Sequence, residues 1–116
     1  MQILKFGGAS LKDAINIKKV ATIIDGMDYK DTIIIVSAIG KTTNALETIV
    51  DLYLKKNNNL LNCINELHEL HIKIIDDLFI ENHEIYKIVR NDFQKIRDFL
   101  KNNKSPNYNF IYDQII

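Results

Sequence analysis

Residues 2–10 read Gln-Ile-Leu-Lys-Phe-Gly-Gly-Ala-Ser, and residues 31–44 read Asp-Thr-Ile-Ile-Ile-Val-Ser-Ala-Ile-Gly-Lys-Thr-Thr-Asn. Each begins with a short apolar run that suits a pleated sheet, and each is then cut off by glycine or small polar residues. The first predicts a strand over 2–6 that stops at Gly7 and Gly8. The second predicts a strand over 31–37. Its Ile33-Ile34-Ile35-Val36 run lacks polar alternation, the pattern of a strand covered on both faces. Between the two, Leu11, Ala14, Ile17, Val20, Ala21 and Ile24 recur at the spacing of one helix face. Ser10 with Asp13 three residues on has the form of a capping box and marks the helix start; Gly26 marks its end. A strand, a helix and a strand joined by a crossover of this length predict parallel pairing in a right-handed βαβ unit.

Outward from this unit the pattern changes. All four glycines fall within the first forty residues, and the only proline is Pro106. After the loop at 37–43 the apolar periodicity is helical. Ala45, Leu46, Ile49, Val50, Tyr53 and Leu54 form one face. Leu60, Leu61, Ile64, Leu67, His71, Ile74, Ile75 and Leu78 form a second, and Ile85, Ile88, Val89, Phe93, Ile96 and Leu100 a third. Asn57–Asn59 and Glu81–Asn82 separate them, Lys104-Ser105-Pro106-Asn107 is the last loop, and Tyr108 opens another element. The expected organisation is a βαβ segment with two ligand loops over 1–44, a helical segment over 45–104 and the start of a truncated element over 105–116. That element stops on Gln114-Ile115-Ile116 in mid-pattern, and two parallel strands do not cover their own faces. Both features lead us to expect the N-terminal part of a larger protein.

Composition narrows the classes. The chain has 116 residues, 47% of them hydrophobic and 26% charged, which suits one small globular domain and excludes a disordered chain. Lys+Arg and Asp+Glu number 15 each, so the basic excess of a nucleic-acid or anionic-membrane binder is missing. The longest uninterrupted apolar run, Ile33–Val36, is far short of a membrane span. With Cys63 alone, neither an internal disulfide nor a multi-cysteine metal site is available. We expect a soluble, cytoplasmic protein.

Ligands of α/β sheets bind beyond the carboxyl ends of the strands, so the two post-strand loops are the candidates for chemistry. In Lys5-Phe6-Gly7-Gly8-Ala9-Ser10, the glycine pair lets backbone N–H groups approach a phosphate, and the next helix offers its N-terminus. Lys5 can set an ammonium against transferring phosphoryl oxygens. A tight turn with an exposed lysine and a capping Ser10 explains the same residues. The second loop ends in Gly40-Lys41-Thr42-Thr43, but a P-loop needs a glycine where Ile35 stands, so that motif is rejected. Ser37 and Thr43 are hydroxyls that could hold a small polar substrate or simply cap strand and helix. His68 and His71, with Glu66 and Glu69 nearby, lack His-Glu-x-x-His spacing and a third ligand; we expect packing there and no metal site. On the helical wheel His71 lies on the apolar stripe and His68 off it.

Taken together, Lys5-Phe6-Gly7-Gly8-Ala9-Ser10 and Val36-Ser37-Ala38-Ile39-Gly40-Lys41-Thr42-Thr43-Asn44-Ala45-Leu46 resemble the aspartokinases, members of the amino-acid kinase family. The first matches that family's Lys-Phe-Gly-Gly opening and the second its Val-Ser-Ala…Thr-Asn-x-Leu segment. Ala9 stands where a threonine is common. The resemblance is strong over residues 1–50 and weak beyond. It implies a three-layer α/β sandwich around a mainly parallel sheet, with only two parallel strands and several long helices present here. It implies ATP with Mg²⁺ as phosphoryl donor and L-aspartate as acceptor, giving aspartyl 4-phosphate, the first step toward lysine, threonine, methionine and diaminopimelate. By motif, Lys5 would be catalytic; Lys5, Phe6, Gly7, Gly8 and Ser10 would hold the nucleotide phosphates; Ser37 and Thr43 would contact substrate. A full-length homo-oligomer is implied, with neither nucleic acid nor membrane as partner. The isolated 116 residues are expected to be inactive. The alternatives are another phosphotransferase of the same fold, acting on carbamate, glutamate or uridylate, and a non-catalytic helical interaction module.

Overall fold

Strand β1 (Gln2–Phe6) pairs in parallel with β2 (Thr32–Val36), in a register that sets Lys5 opposite Ile35 and Phe6 opposite Val36. The ladder continues one residue past the strands, where the Ser37 amide donates to the Phe6 carbonyl at 3.1 Å. Between the strands lie a 3-10 turn (Gly8–Leu11) and α1 (Ala14–Asp25). The computed structural model describes all 116 residues, which divide into two compact units, Met1–Thr42 and Thr43–Ile116.

In the first unit Leu11, Ala14 and Val20 are buried, as their periodicity predicts. The helix start differs from expectation. Leu11 belongs to the 3-10 turn, and α1 begins at Ala14 with Asp13 as its cap. The Asp13 carboxylate accepts from the Asn16 amide at 2.8 Å and from the Asn16 side chain at 2.6 Å, leaving Ser10 outside the helix. An aspartate reaches the third amide after itself as well as serine does, and the tight turn at Gly8 uses up the residues that would otherwise open the helix. β2 is a second correction: Ile35 is 45% and Val36 58% exposed, so the strand is not covered on both faces. In a two-stranded sheet both strands are edges, and one helix shields at most one face.

The second unit holds α2 from its second residue onward (the helix runs Thr42–Leu54), then α3 (Leu60–Leu78), α4 (Glu84–Asn102) and α5 (Tyr108–Ile115). The three helical faces read from the sequence supply the core: Ile49, Val50, Ile64, Leu67, Phe93 and Leu100, joined by Ile111 from α5. The breaks fall at or beside the polar segments Asn57–Asn59 and Glu81–Asn82, where Lys56 and Asn82 take left-handed backbone (φ 53° and 63°) that no helix continues. The Tyr86 hydroxyl on α4 donates to Asp76 on α3 at 2.7 Å, and that carboxylate pushes the phenol's pKa up to about 12. Tyr53 and Asn103 tie the end of α2 to the last loop by two hydrogen bonds. The Asn107 side chain caps α5, accepting from the Phe110 amide. No helix is long and apolar enough to cross a membrane.

Candidate functional site

The carboxyl ends of β1 and β2 lie side by side because the pairing is parallel and in register, so the loops that leave them emerge together. Lys5 is exposed on the outward face of β1, while Leu4 and Phe6 are half-buried on the other, the alternation of a pleated strand. The Phe6 carbonyl is consumed by the ladder. Gly7 is extended (φ −82°, ψ 177°), and its carbonyl accepts from the Ser10 amide at 3.0 Å, which closes the 3-10 turn.

The two glycines do different work. A Cβ at Gly8 would stand 2.5 Å from the Gly40 carbonyl oxygen and 3.6 Å from Ser37 Oγ, so only glycine lets the first loop pack against the second. A Cβ at Gly7 would meet nothing within 4 Å, and its φ suits any residue. Neither packing nor backbone conformation of the chain demands a glycine at position 7. Open space beside a Cβ-free amide is what an approaching anion needs.

The second loop is held by its own atoms. Ser37 Oγ donates to the Ala38 carbonyl at 3.0 Å, and buried Thr42 donates through both Oγ1 and its amide to the Ile39 carbonyl. Gly40 adopts left-handed backbone (φ 51°) against Lys12. Ile35 does lie within β2, where a P-loop's first glycine would have to be. The tertiary role of Gly40, together with that of Thr42, was missed. A glycine in a post-strand loop is the signal that could have pointed to a close approach.

Lys5 and Phe6 end β1, Gly7, Gly8 and Ser10 belong to the turn that follows, and Ser37 lies beside Gly8. Thr43 begins the other unit, exposed in the first turn of α2. One expected anion donor is lost. The N-terminus of α1 is already filled by the Asp13 carboxylate, whose pKa lies below the ordinary range because the Asn16 amide and side chain both donate to it. The amides of the glycine loop are left as the local donors. Asp13→Ala should remove the cap and lower the thermal midpoint. The wild-type advantage should be present above the ordinary carboxylate pKa and vanish as pH falls through the depressed value, read from paired melts in acid.

No group of three or more His, Cys, Asp and Glu residues converges in the chain. The histidine pair behaves otherwise than the wheel suggests. His68, placed off the apolar stripe, stacks on Phe93 at 4.6 Å, because α4 adds a wall that a wheel of α3 does not contain.

The pattern of the amino acid kinase family matches residues 1–109. The chain is similar to the bifunctional aspartokinase/homoserine dehydrogenase of Buchnera aphidicola subsp. Acyrthosiphon pisum (29% identity over 107 residues, 87% of this chain and 13% of that one). It is also similar to the chloroplastic aspartokinase 2 of Arabidopsis thaliana (34% over 95 residues, 73% and 16%). Among solved structures, the aspartate kinase of Clostridium acetobutylicum superposes with a TM-score of 0.69 at 25% identity, covering 93% of this chain and 25% of that one. The chain therefore spans about an eighth to a quarter of the length of these relatives. With two parallel strands that end in paired glycine-bearing loops, a matching fold and a family pattern over nearly its whole length, the chain belongs to the amino acid kinase family.

Proposed function

We propose that, within a polypeptide of its relatives' length, this chain supplies the phosphoryl-handling loops of an aspartate kinase. The γ-phosphoryl of ATP, carried with Mg²⁺ as substrate, passes to the side-chain carboxylate of L-aspartate. A carboxylate oxygen bonds to the γ-phosphorus, the bond to the β,γ-bridging oxygen breaks, and ADP leaves with that oxygen's electrons. Such a transfer needs little covalent chemistry from the protein; positioning and charge neutralisation carry it. Lys5 places an ammonium against the non-bridging oxygens, and the amides around Gly7 and Gly8 donate to the phosphates. Phe6 and Ser10 complete that loop. Ser37 and Thr43 are the hydroxyls assigned to aspartate and the transferring group. A cytoplasmic, homo-oligomeric enzyme of lysine, threonine and methionine synthesis fits this reading.

One observation carries the proposal. An exposed lysine near the carboxyl end of β1 precedes, with Phe6 between them, a glycine whose Cβ position is empty, where the loops of two parallel strands emerge together. The test replaces the corresponding segment of the Clostridium or Arabidopsis enzyme with residues 1–116 and traps acyl phosphate as the hydroxamate. Aspartate-dependent, ATP-dependent hydroxamate supports the reading. A grafted enzyme that folds but phosphorylates only glutamate, carbamate or uridylate refutes it in favour of another member of the fold. The 116-residue chain by itself is expected to form no aspartyl phosphate. Gly7→Ala and Gly8→Ala separate ligand approach from packing. Gly7→Ala should keep the melting midpoint of the chain and weaken ATP in the graft. Gly8→Ala should lower the midpoint, because its methyl group meets a backbone oxygen that cannot swing aside.

A further inference from the structure

We infer that α3 and α4 are joined by a proton-sensitive clasp, in which His68 is held as a neutral acceptor between Phe93 and Arg97 and releases Arg97 on protonation. The clasp lies wholly within the second unit and does not depend on the kinase reading.

The hydrogen-bond chemistry leaves His68 one role. Arg97 Nη2 is 3.3 Å from His68 Nδ1 and 2.8 Å from Asn65 Oδ1. A guanidinium has N–H groups and no acceptor, so Nδ1 must present its lone pair and the proton must sit on Nε2. Stacking on Phe93, with ring planes 11° apart, holds the imidazole in that orientation. A second proton would set N–H against N–H and cation against cation. Arg97 would keep its bond to Asn65, so the helices loosen at one point and do not part.

His71 supplies the contrast. It meets the same Phe93 edge-on at 5.4 Å, but its Nδ1 lies 2.8 Å from the Leu67 carbonyl, which can only accept. That nitrogen carries a proton in both charge states, and its bond survives acid. Two histidines one helical turn apart share a phenylalanine, and only one of them is a switch. His83 is also an acceptor, taking the Ile85 amide at 3.1 Å as the cap of α4.

The surroundings oppose a charge on His68. Burial is the largest effect; Arg97 and Arg90 from α4 and His71 from its own helix add to it, and Glu69 acts the other way. The imidazole therefore titrates below its ordinary value. A base whose folded pKa is depressed contributes stability that is complete above the unfolded value, about 6.5, and is lost as pH falls from there through the folded value.

The test is a histidine-resolved NMR titration of the full 116-residue chain between about pH 8 and about pH 5. His68 should titrate below a histidine in an unstructured peptide in the same buffer, and the Phe93 ring and Arg97 guanidinium signals should move with its midpoint. In Arg97→Gln the His68 midpoint should rise toward the peptide value. The proposal is overturned if His68 titrates at or above the peptide value, if Phe93 and Arg97 do not follow it, or if Arg97→Gln leaves the midpoint unmoved. Urea midpoints give an independent reading. Wild type should lose more between the two pH values than His68→Gln; equal losses overturn the clasp. Should His68→Gln not fold, the wild-type titration decides.

Discussion

Lys5→Ala in the grafted enzyme is expected to lower kcat by about 10³-fold or more while KM for aspartate changes little. Lys5 is exposed and forms no ion pair within 4 Å; the chain's single pair joins the Met1 amino group to Asp31. Removing it therefore costs the fold little, about 0.5 kcal/mol or less. The ammonium is useful only when charge gathers on the transferring phosphoryl, so its loss should fall on the transition state more than on substrate binding. Lys5→Arg should recover only part of the rate, because a planar fork does not occupy the place of a compact point charge. Steady-state kinetics beside thermal melts separates these effects. If kcat of the alanine variant stays within a few-fold of wild type, Lys5 has no role in phosphoryl transfer, and the non-catalytic reading of the chain gains.

Ile64→Ala is expected to destabilise the chain by about 2–5 kcal/mol, and Ile64→Val by about 0.5–1.5 kcal/mol. Ile64 is 1% exposed and belongs to the core cluster that α2, α3, α4 and α5 share. Three carbons removed there leave a hole that surrounding helices fill only in part, and the lost contacts add to the lost transfer free energy. Against the roughly 5–15 kcal/mol that a domain of this size has in hand, the alanine variant approaches the threshold of unfolding. Urea denaturation followed by circular dichroism measures it. The same substitution at Leu61, which is 63% exposed, should move the midpoint far less. Similar losses at the two positions would contradict the core described here.

Much of the architecture was legible because it rests on periods that a linear chain records. Apolar runs at 3–4 and 33–36, apolar spacing along 45–54, 60–78 and 85–100, and polar, asparagine-bearing breaks between them are local properties of neighbouring residues. The loops after the two strands were legible for the same reason, since glycine after an apolar run needs no knowledge of the partner strand. The start of α1 was not. Ser10 and Asp13 are both competent caps, and which one is used depends on the 3-10 turn that Gly8 makes against Gly40. Nor was the exposure of β2 legible. An unbroken apolar run records what a strand is suited to lie between, whereas burial depends on what is present to cover it.

The sequence by itself determined the two strands, the helical character of the segments that follow them up to the last loop, the parallel order of the first unit, and the lysine and glycine pair that mark its family, because each rests on interactions between residues close along the chain. Only the tertiary structure decided why Gly8 and not Gly7 must lack a side chain, which carboxylate fills the first helix terminus, and which histidine faces Arg97. Those answers depend on atoms brought together from about 30 residues away, and a linear pattern holds no distance between them.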